Sequence, residues 1–310
     1  MTTPLAGSHS GPGLNDRLAA PLCDAHLHFF GPRASYPLVD TASYDPAVVT
    51  SEEYAAAIAP LDVRRIVLVQ PSVYGSDHRC LLDSIRSYGI GRARGVAMAS
   101  ADLDDIQLLE WSAQGIRALR VIGFPDGVTA HQRLSLDSIP SAFISRLGDR
   151  IGHAASLAAR HSMHLDLLIP GAALLALRDQ LAELPVDFTA GHLGLVEPRT
   201  DSAELEALVD LVGRGSRRCW PKLTAPYRIE PDGRLDRVQE IVSTLVELSP
   251  DRLIWGSDFP HAQFGDSCRT IEVASMTLGW IDDPELRRMA TWENPSRLYG
   301  FDADSPRQAD

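Results

Sequence analysis

Short apolar runs alternate with helix-forming stretches along almost the whole chain. The apolar runs fall at 22–27 (LCDAHL), 64–70 (RRIVLVQ), 94–98 (RGVAM), 116–121 (IRALRV), 163–169 (MHLDLLI), 186–192 (VDFTAGH), 218–223 (RCWPKL) and 252–257 (RLIWGS). Several are continuous and rich in β-formers, as strands covered on both faces should be. Helical patterns follow them at 51–60, 77–88, 103–114, 149–161, 172–183, 202–213, 235–248 and 268–281. Gly89 sits where the second of these needs a residue tolerant of positive φ. Strand–helix alternation predicts a parallel sheet. Eight such units predict closure into a single-domain (β/α)8 barrel over residues 21–301, with 1–20 a flexible lead-in and 302–310 a frayed tail. A doubly wound nucleotide-binding sheet lacks its usual support, because no glycine-rich phosphate loop follows the first strand.

Composition narrows the partners more than the fold. The 310 residues are 45% hydrophobic and 23% charged, enough for a large buried core. A net charge of −12 argues against nucleic acid and anionic membrane surfaces as partners. No apolar run approaches the roughly 18–20 residues of a membrane span, and no secretory leader pattern opens the chain. The four scattered cysteines form no CxxC pair. A cytoplasmic enzyme with free thiols is the expectation, its oligomeric state unreadable.

In a barrel, chemistry collects at the C-terminal ends of the strands. Three constellations lie there. In Asp24-Ala25-His26-Leu27-His28, the two histidines are two apart and share one side of the strand. They can bind a cation or donate hydrogen bonds to a carbonyl. In Ile254-Trp255-Gly256-Ser257-Asp258, an apolar strand runs into an acid, either a general base or a helix cap, with His261 close behind. His192 ends strand six between Gly191 and Gly194, either at a ligand or as a structural histidine. Arg120 lies at the end of strand four and Arg228 follows strand seven in Thr224-Ala225-Pro226-Tyr227-Arg228, where each could grip a carboxylate or simply cap the surface. His153, His161 and His164 fall on a helix or near a strand start and read as structural. Lys222 is the only lysine, at a strand end with no readable role.

Taken in order, AHLH, QPSVYGSDHR, AGHLG, IWGSDFPH and ENPSRLYGF resemble the amidohydrolase-related enzymes of the 2-pyrone-4,6-dicarboxylate lactonase type, over roughly residues 22–301. The resemblance implies a lactone hydrolase or isomerase acting on a small lactone or carboxylic acid. It implies that Asp258 activates water and that His26, His28 and His192 bind the carbonyl. It further implies substrate contacts from Arg120, Arg228, Tyr44, Ser72 and His261. Where dicarboxylate lactonases carry further arginines, this chain reads Gly194-Leu195 and Pro125-Asp126. A smaller, neutral or monoanionic lactone is therefore expected.

Metal-dependent relatives place lysine or histidine on strand four or five, and RALRVI has neither. The expectation is no cofactor. The alternative is one divalent cation such as zinc on His26, His28 and Asp258, perhaps with His192, serving an amidohydrolase or decarboxylase. A non-catalytic ligand-binding barrel is the remaining alternative.

Overall fold

The computed structural model describes residues 21–128, 132, 134–213, 218–230, 233, 235–265 and 268–301. The proposed lead-in and tail lie outside these. Eight parallel strands follow one another around a single sheet: β1 Leu22–Leu27, β2 Val63–Val69, β3 Ala93–Met98, β4 Ile116–Ile122, β5 His164–Leu168, β6 Phe188–Ala190, β7 Cys219–Leu223 and β8 Ile254–Trp255. A parallel bridge from Leu27 to Phe259 joins the end of β8 to β1. Two hydrogen bonds complete the seam: Asp258 N–H donates to the His26 carbonyl at 2.9 Å, and His28 N–H to that of Phe259 at 2.8 Å. The helices between strands pack outside, so this is a (β/α)8 barrel. Among the described residues, no helix is long and apolar enough to cross a membrane.

Two shells of apolar side chains explain the continuous runs. The outer shell joins Leu27, Ile66, Leu68, Leu119, Leu165 and Leu167 to the helices. The inner cluster contains Cys23, Ala25, Val67, Val69, Val96, Ala118, Trp220 and Ile254, with Tyr299 and Phe301 closing the lower mouth. Strict alternation would put Asp24 and His26 on the same face of β1, yet only His26 is needed inside. The register resolves this. Asp24 pairs with Ile66 and Leu27 with Leu68, so Ala25 and His26 both oppose Val67. This β-bulge resets the alternation. Asp24 is left facing outward, where it accepts from the Tyr54 hydroxyl at 2.8 Å and from Ser257 N–H at 2.8 Å. His26 and His28 then face the interior together.

Boundaries differ from the sequence expectations at three places. The helix expected at 149–161 begins at Ser141, behind Pro140. Gly148 does not break it, because that position is a packing contact: a Cβ there would meet Gln180 Oε1 at 2.6 Å. The helix expected at 172–183 is two short ones, Gly171–Ala176 and Arg178–Ala182. Strands six and eight are shorter than 186–192 and 252–257, because the chain leaves extended geometry where His192 and Asp258 follow them.

Candidate active site

The upper mouth gathers the candidate residues from six of the strands and the turns that follow them. His192 lies in the turn Gly191–Leu195 after β6, with φ 51° and ψ 53°. Asp258 and His261 follow β8, both at φ 60°, and Ala225 follows β7 at φ 46°. Left-handed backbone costs a non-glycine residue roughly 1–2 kcal/mol. With Leu193, Leu195 and Gln263 in the same turns, seven such residues at one mouth mean that the surrounding barrel enforces their directions.

Asp258 is the hub. Its Oδ2 accepts from the Tyr227 hydroxyl at 2.7 Å and from Arg228 Nε at 3.3 Å. Its Oδ1 faces His26 Nε2 at 3.5 Å and His28 Nε2 at 3.7 Å and accepts no hydrogen bond from the protein. One carboxylate oxygen is therefore anchored and the other is available. Burial, the largest single influence, opposes its ionisation, but Arg228 and the surrounding imidazoles together outweigh it and hold the carboxyl well below the usual range.

The three histidines differ in what their inward nitrogens can do. His28 Nδ1 lies 2.8 Å from the Val69 carbonyl, which can only accept, so Nδ1 carries a proton and Nε2 is the nitrogen turned toward Asp258. His192 Nδ1 lies 2.7 Å from the Thr224 hydroxyl, which can donate or accept, so its Nε2 can serve in either role. Burial pushes His192 down to about 3, so it is neutral near pH 7. His26 Nδ1 lies 3.3 Å from Lys222 Nζ. Burial, then the charge of Lys222, depresses His26 well below the ordinary histidine range.

Beneath His26 lies a fully buried ion cluster that the sequence reading missed. Lys222 from β7 donates to Asp166 from β5. Asp166 also accepts from the Thr189 hydroxyl at 2.9 Å and faces Arg120 Nε at 3.6 Å. The one available signal was an acid inside the apolar run HLDLL. Tyr227 was also missed, although it adjoins Arg228 in the motif that named the arginine.

The remaining expected contacts are spread more widely. Arg120 is buried, and its Nε–H and Nη1–H donate no hydrogen bond within the protein, Asp166 lying 3.6 Å away. Arg228 is tied to Asp258 and to the Ala262 carbonyl at 2.9 Å. The Tyr44 hydroxyl meets Ser72 and lies within the fields of Arg120, Arg228 and Asp258, which places it over the same mouth. Ser72 is exposed at the rim. His261 does not face solvent: its nitrogens sit 2.9 Å from the Tyr227 hydroxyl and 2.9 Å from Thr270 Oγ1. A substrate contact from His261 would require surrendering one of these. Burial lowers it to about 4.

A metal can be tested against this donor set. His26, His192 and Asp258 bring one ligand atom each within 4.8 Å of the others, a different trio from the expected His26, His28 and Asp258. Distance alone would admit an ion, but the protons do not. The ammonium of Lys222 can only donate, so it needs a bare Nδ1 on His26, which leaves a hydrogen on Nε2 where an ion needs a lone pair. Three cations, Arg120, Lys222 and Arg228, also face only two carboxylates, Asp166 and Asp258. That balance favours an anion over a dication, so the residues do not fit a catalytic metal.

Comparison with known proteins agrees with the architecture. The chain is 29% identical to the 4-sulfomuconolactone hydrolase of Hydrogenophaga intermedia, over 89% of this chain and 88% of that one. It is 30% identical to the 4-sulfomuconolactone hydrolase of Rhizobium radiobacter, over 89% of each. Among solved structures, a probable 2-pyrone-4,6-dicarboxylic acid hydrolase from Acinetobacter baumannii superimposes with a TM-score of 0.73 at 24% identity, covering 91% of this chain and 100% of the other. The sequence profile described as amidohydrolase matches residues 23–301. With nearly the whole barrel matched, the chain belongs to the amidohydrolase family.

Proposed function

We propose that this protein hydrolyses a small anionic lactone without a metal, with Asp258 as general base. The reading rests on one observation: Asp258 is held at Oδ2 by Tyr227 and Arg228 while Oδ1 stays open beside three imidazoles. A water placed between Asp258 Oδ1 and His28 Nε2 meets two acceptors. Both its protons are then held, and its lone pair is left for attack. Asp258 takes a proton as the oxygen adds to the lactone carbonyl. The carbonyl oxygen, now carrying charge, accepts from His26 Nε2–H and from His192 when its proton sits on Nε2. The C–O ring bond breaks, and the proton on Asp258 passes to the departing oxygen. The product is a ring-opened hydroxy acid, which ionises at neutral pH. His28 thus helps position water, whereas the sequence reading counted it with the oxyanion donors.

The charge balance supports a substrate with a carboxylate or similar anion, taken up by Arg120 with Tyr44 and Ser72 at the rim. The hydrolase names of the two sulfomuconolactone relatives point the same way. A panel of lactones assayed with a pH indicator tests the proposal, because ring opening releases a proton. Turnover by the wild type and its loss in Asp258→Asn, with the fold retained by circular dichroism, are expected. Undiminished turnover in Asp258→Asn would remove the base. Substrate consumed without proton release would replace hydrolysis by lactone migration.

A further inference from the structure

We propose that Lys222 is a positioning residue: its buried ammonium, clamped by Asp166, keeps the proton of His26 on Nε2, where it serves as an oxyanion donor. The kinetic part of this inference rests on the hydrolytic reading above, whereas its tautomeric part does not.

The chain holds a single lysine, and it is fully buried in the barrel, on the same side of β7 as Trp220 and Thr224. Nothing about stability asks for an ion pair there, since apolar replacement of a buried pair is often neutral or favourable. What the lysine touches is specific. Its Nζ donates to Asp166 and lies 3.3 Å from His26 Nδ1. Asp166 is fixed in turn by Thr189 and Arg120 and remains ionised; burial lowers Lys222 below the ordinary lysine range, and the Asp166 charge opposes that and supports the ammonium form. An ammonium offers three N–H groups and no lone pair. The ring nitrogen facing it must be the bare one, and the proton goes to the other. His26 Nε2, so protonated, points at the open oxygen of Asp258, 3.5 Å away. A neutral imidazole in a pocket without this lysine keeps only the modest intrinsic preference of histidine for Nε2–H, and the Nδ1–H fraction would leave a lone pair facing the developing oxyanion. His28, fixed in the opposite tautomer by Val69, shows that the site distinguishes the two rings by what lies behind each.

The tautomer can be read directly. Protein carrying 15N-labelled histidine rings is examined near neutral pH by long-range proton–nitrogen correlation, with the His26 signals assigned by their disappearance in His26→Asn. The expected pattern is the Nε2–H tautomer. A wild-type spectrum showing Nδ1–H overturns the proposal and would suit a metal ligand instead. Lys222→Met alone would strand Asp166, so the variant to use is Lys222→Met with Asp166→Asn. It is expected to lose the Nε2–H preference and to drop in kcat by about 10- to 100-fold, less than outright loss of an oxyanion donor, with KM nearly unchanged. Lys222→Arg, which keeps a charged donor against Asp166, is expected to restore the tautomer and much of the rate. A folded double variant with the wild-type spectrum and kcat refutes the assignment. If the double variant does not fold, the wild-type spectrum still decides. A wild type with Nε2–H on His26 that opens no lactone overturns the reaction and the kinetic part, and upholds the tautomeric part.

Discussion

At the residue scale, the site works by giving each polar atom of one carboxylate a different task. Tyr227 illustrates this. Its hydroxyl lies 2.7 Å from Asp258 Oδ2 and 2.9 Å from His261 Nδ1, and burial, then the nearby Asp258 charge, keeps the phenol well above its ordinary range. It is therefore a permanent donor that stabilises the ionised Asp258 carboxylate, the proposed base. In Tyr227→Phe that donor is gone and burial meets less opposition, so the folded pKa of Asp258 rises. The acid limb of the kcat/KM profile should move to higher pH while the plateau falls. A profile superimposable on the wild type would mean that the hydroxyl does not act on the base. The histidines, Asp258 and the two arginines were legible in the sequence because each stands at a strand end, where an apolar run stops. Asp166, Lys222 and Tyr227 were not. Asp166 lies within an apolar run, Lys222 offered no partner in sequence, and Tyr227 looked like a neighbour of Arg228. Their roles arise from contacts 23 to 196 residues apart, which no local pattern records.

At the element scale, the seam between β8 and β1 carries the most geometric constraint. Gly256 lies there because the two strands approach so closely that a Cβ would sit 2.6 Å from His26 N and 2.8 Å from His26 Cβ. Neither is the free end of a side chain, so the backbone of the bulge must move. Gly256→Ala should cost about 1–3 kcal/mol, as overpacking does, and should reduce activity by tilting His26. Urea denaturation alongside turnover checks both; wild-type values in each would show that the seam is pliable. The eight units were legible for a related reason: strands buried on both faces leave continuous apolar runs, and helices leave amphipathic ones. The bulge in β1 was not, because it changes which side chains share a face without changing the pattern of residue types. The shortness of β6 and β8 was hidden in the same way, since the places where His192 and Asp258 turn left-handed are set by tertiary contacts that the order of residue types does not record.

For the whole molecule, the barrel buries histidines in the uncharged form, and this makes its stability depend on pH. Burial lowers His164 and His192 to about 3 and His78 and His261 to about 4, and it also holds His26 well below its ordinary value. In the unfolded chain each would titrate near 6.5. Below that pH the unfolded state binds protons that the folded state refuses, so stability declines as pH falls, by about 1.4 kcal/mol per pH unit for each full proton of difference. Several histidines act together, and a domain of ordinary stability holds only about 5–15 kcal/mol. The contribution is complete above about pH 6.5 and is lost progressively toward pH 4 and below. Asp166 and Asp258, held low chiefly by Lys222 and Arg228 against the cost of burial, extend the decline into the carboxylate range. Urea midpoints should therefore be level from pH 8 to about pH 7 and fall steeply between pH 6.5 and pH 5, before any exposed carboxylate titrates. A midpoint unchanged at pH 5 would mean that the buried rings accept protons as readily as exposed ones. The neutral imidazoles on which the lactone chemistry depends would then no longer be secured by the fold.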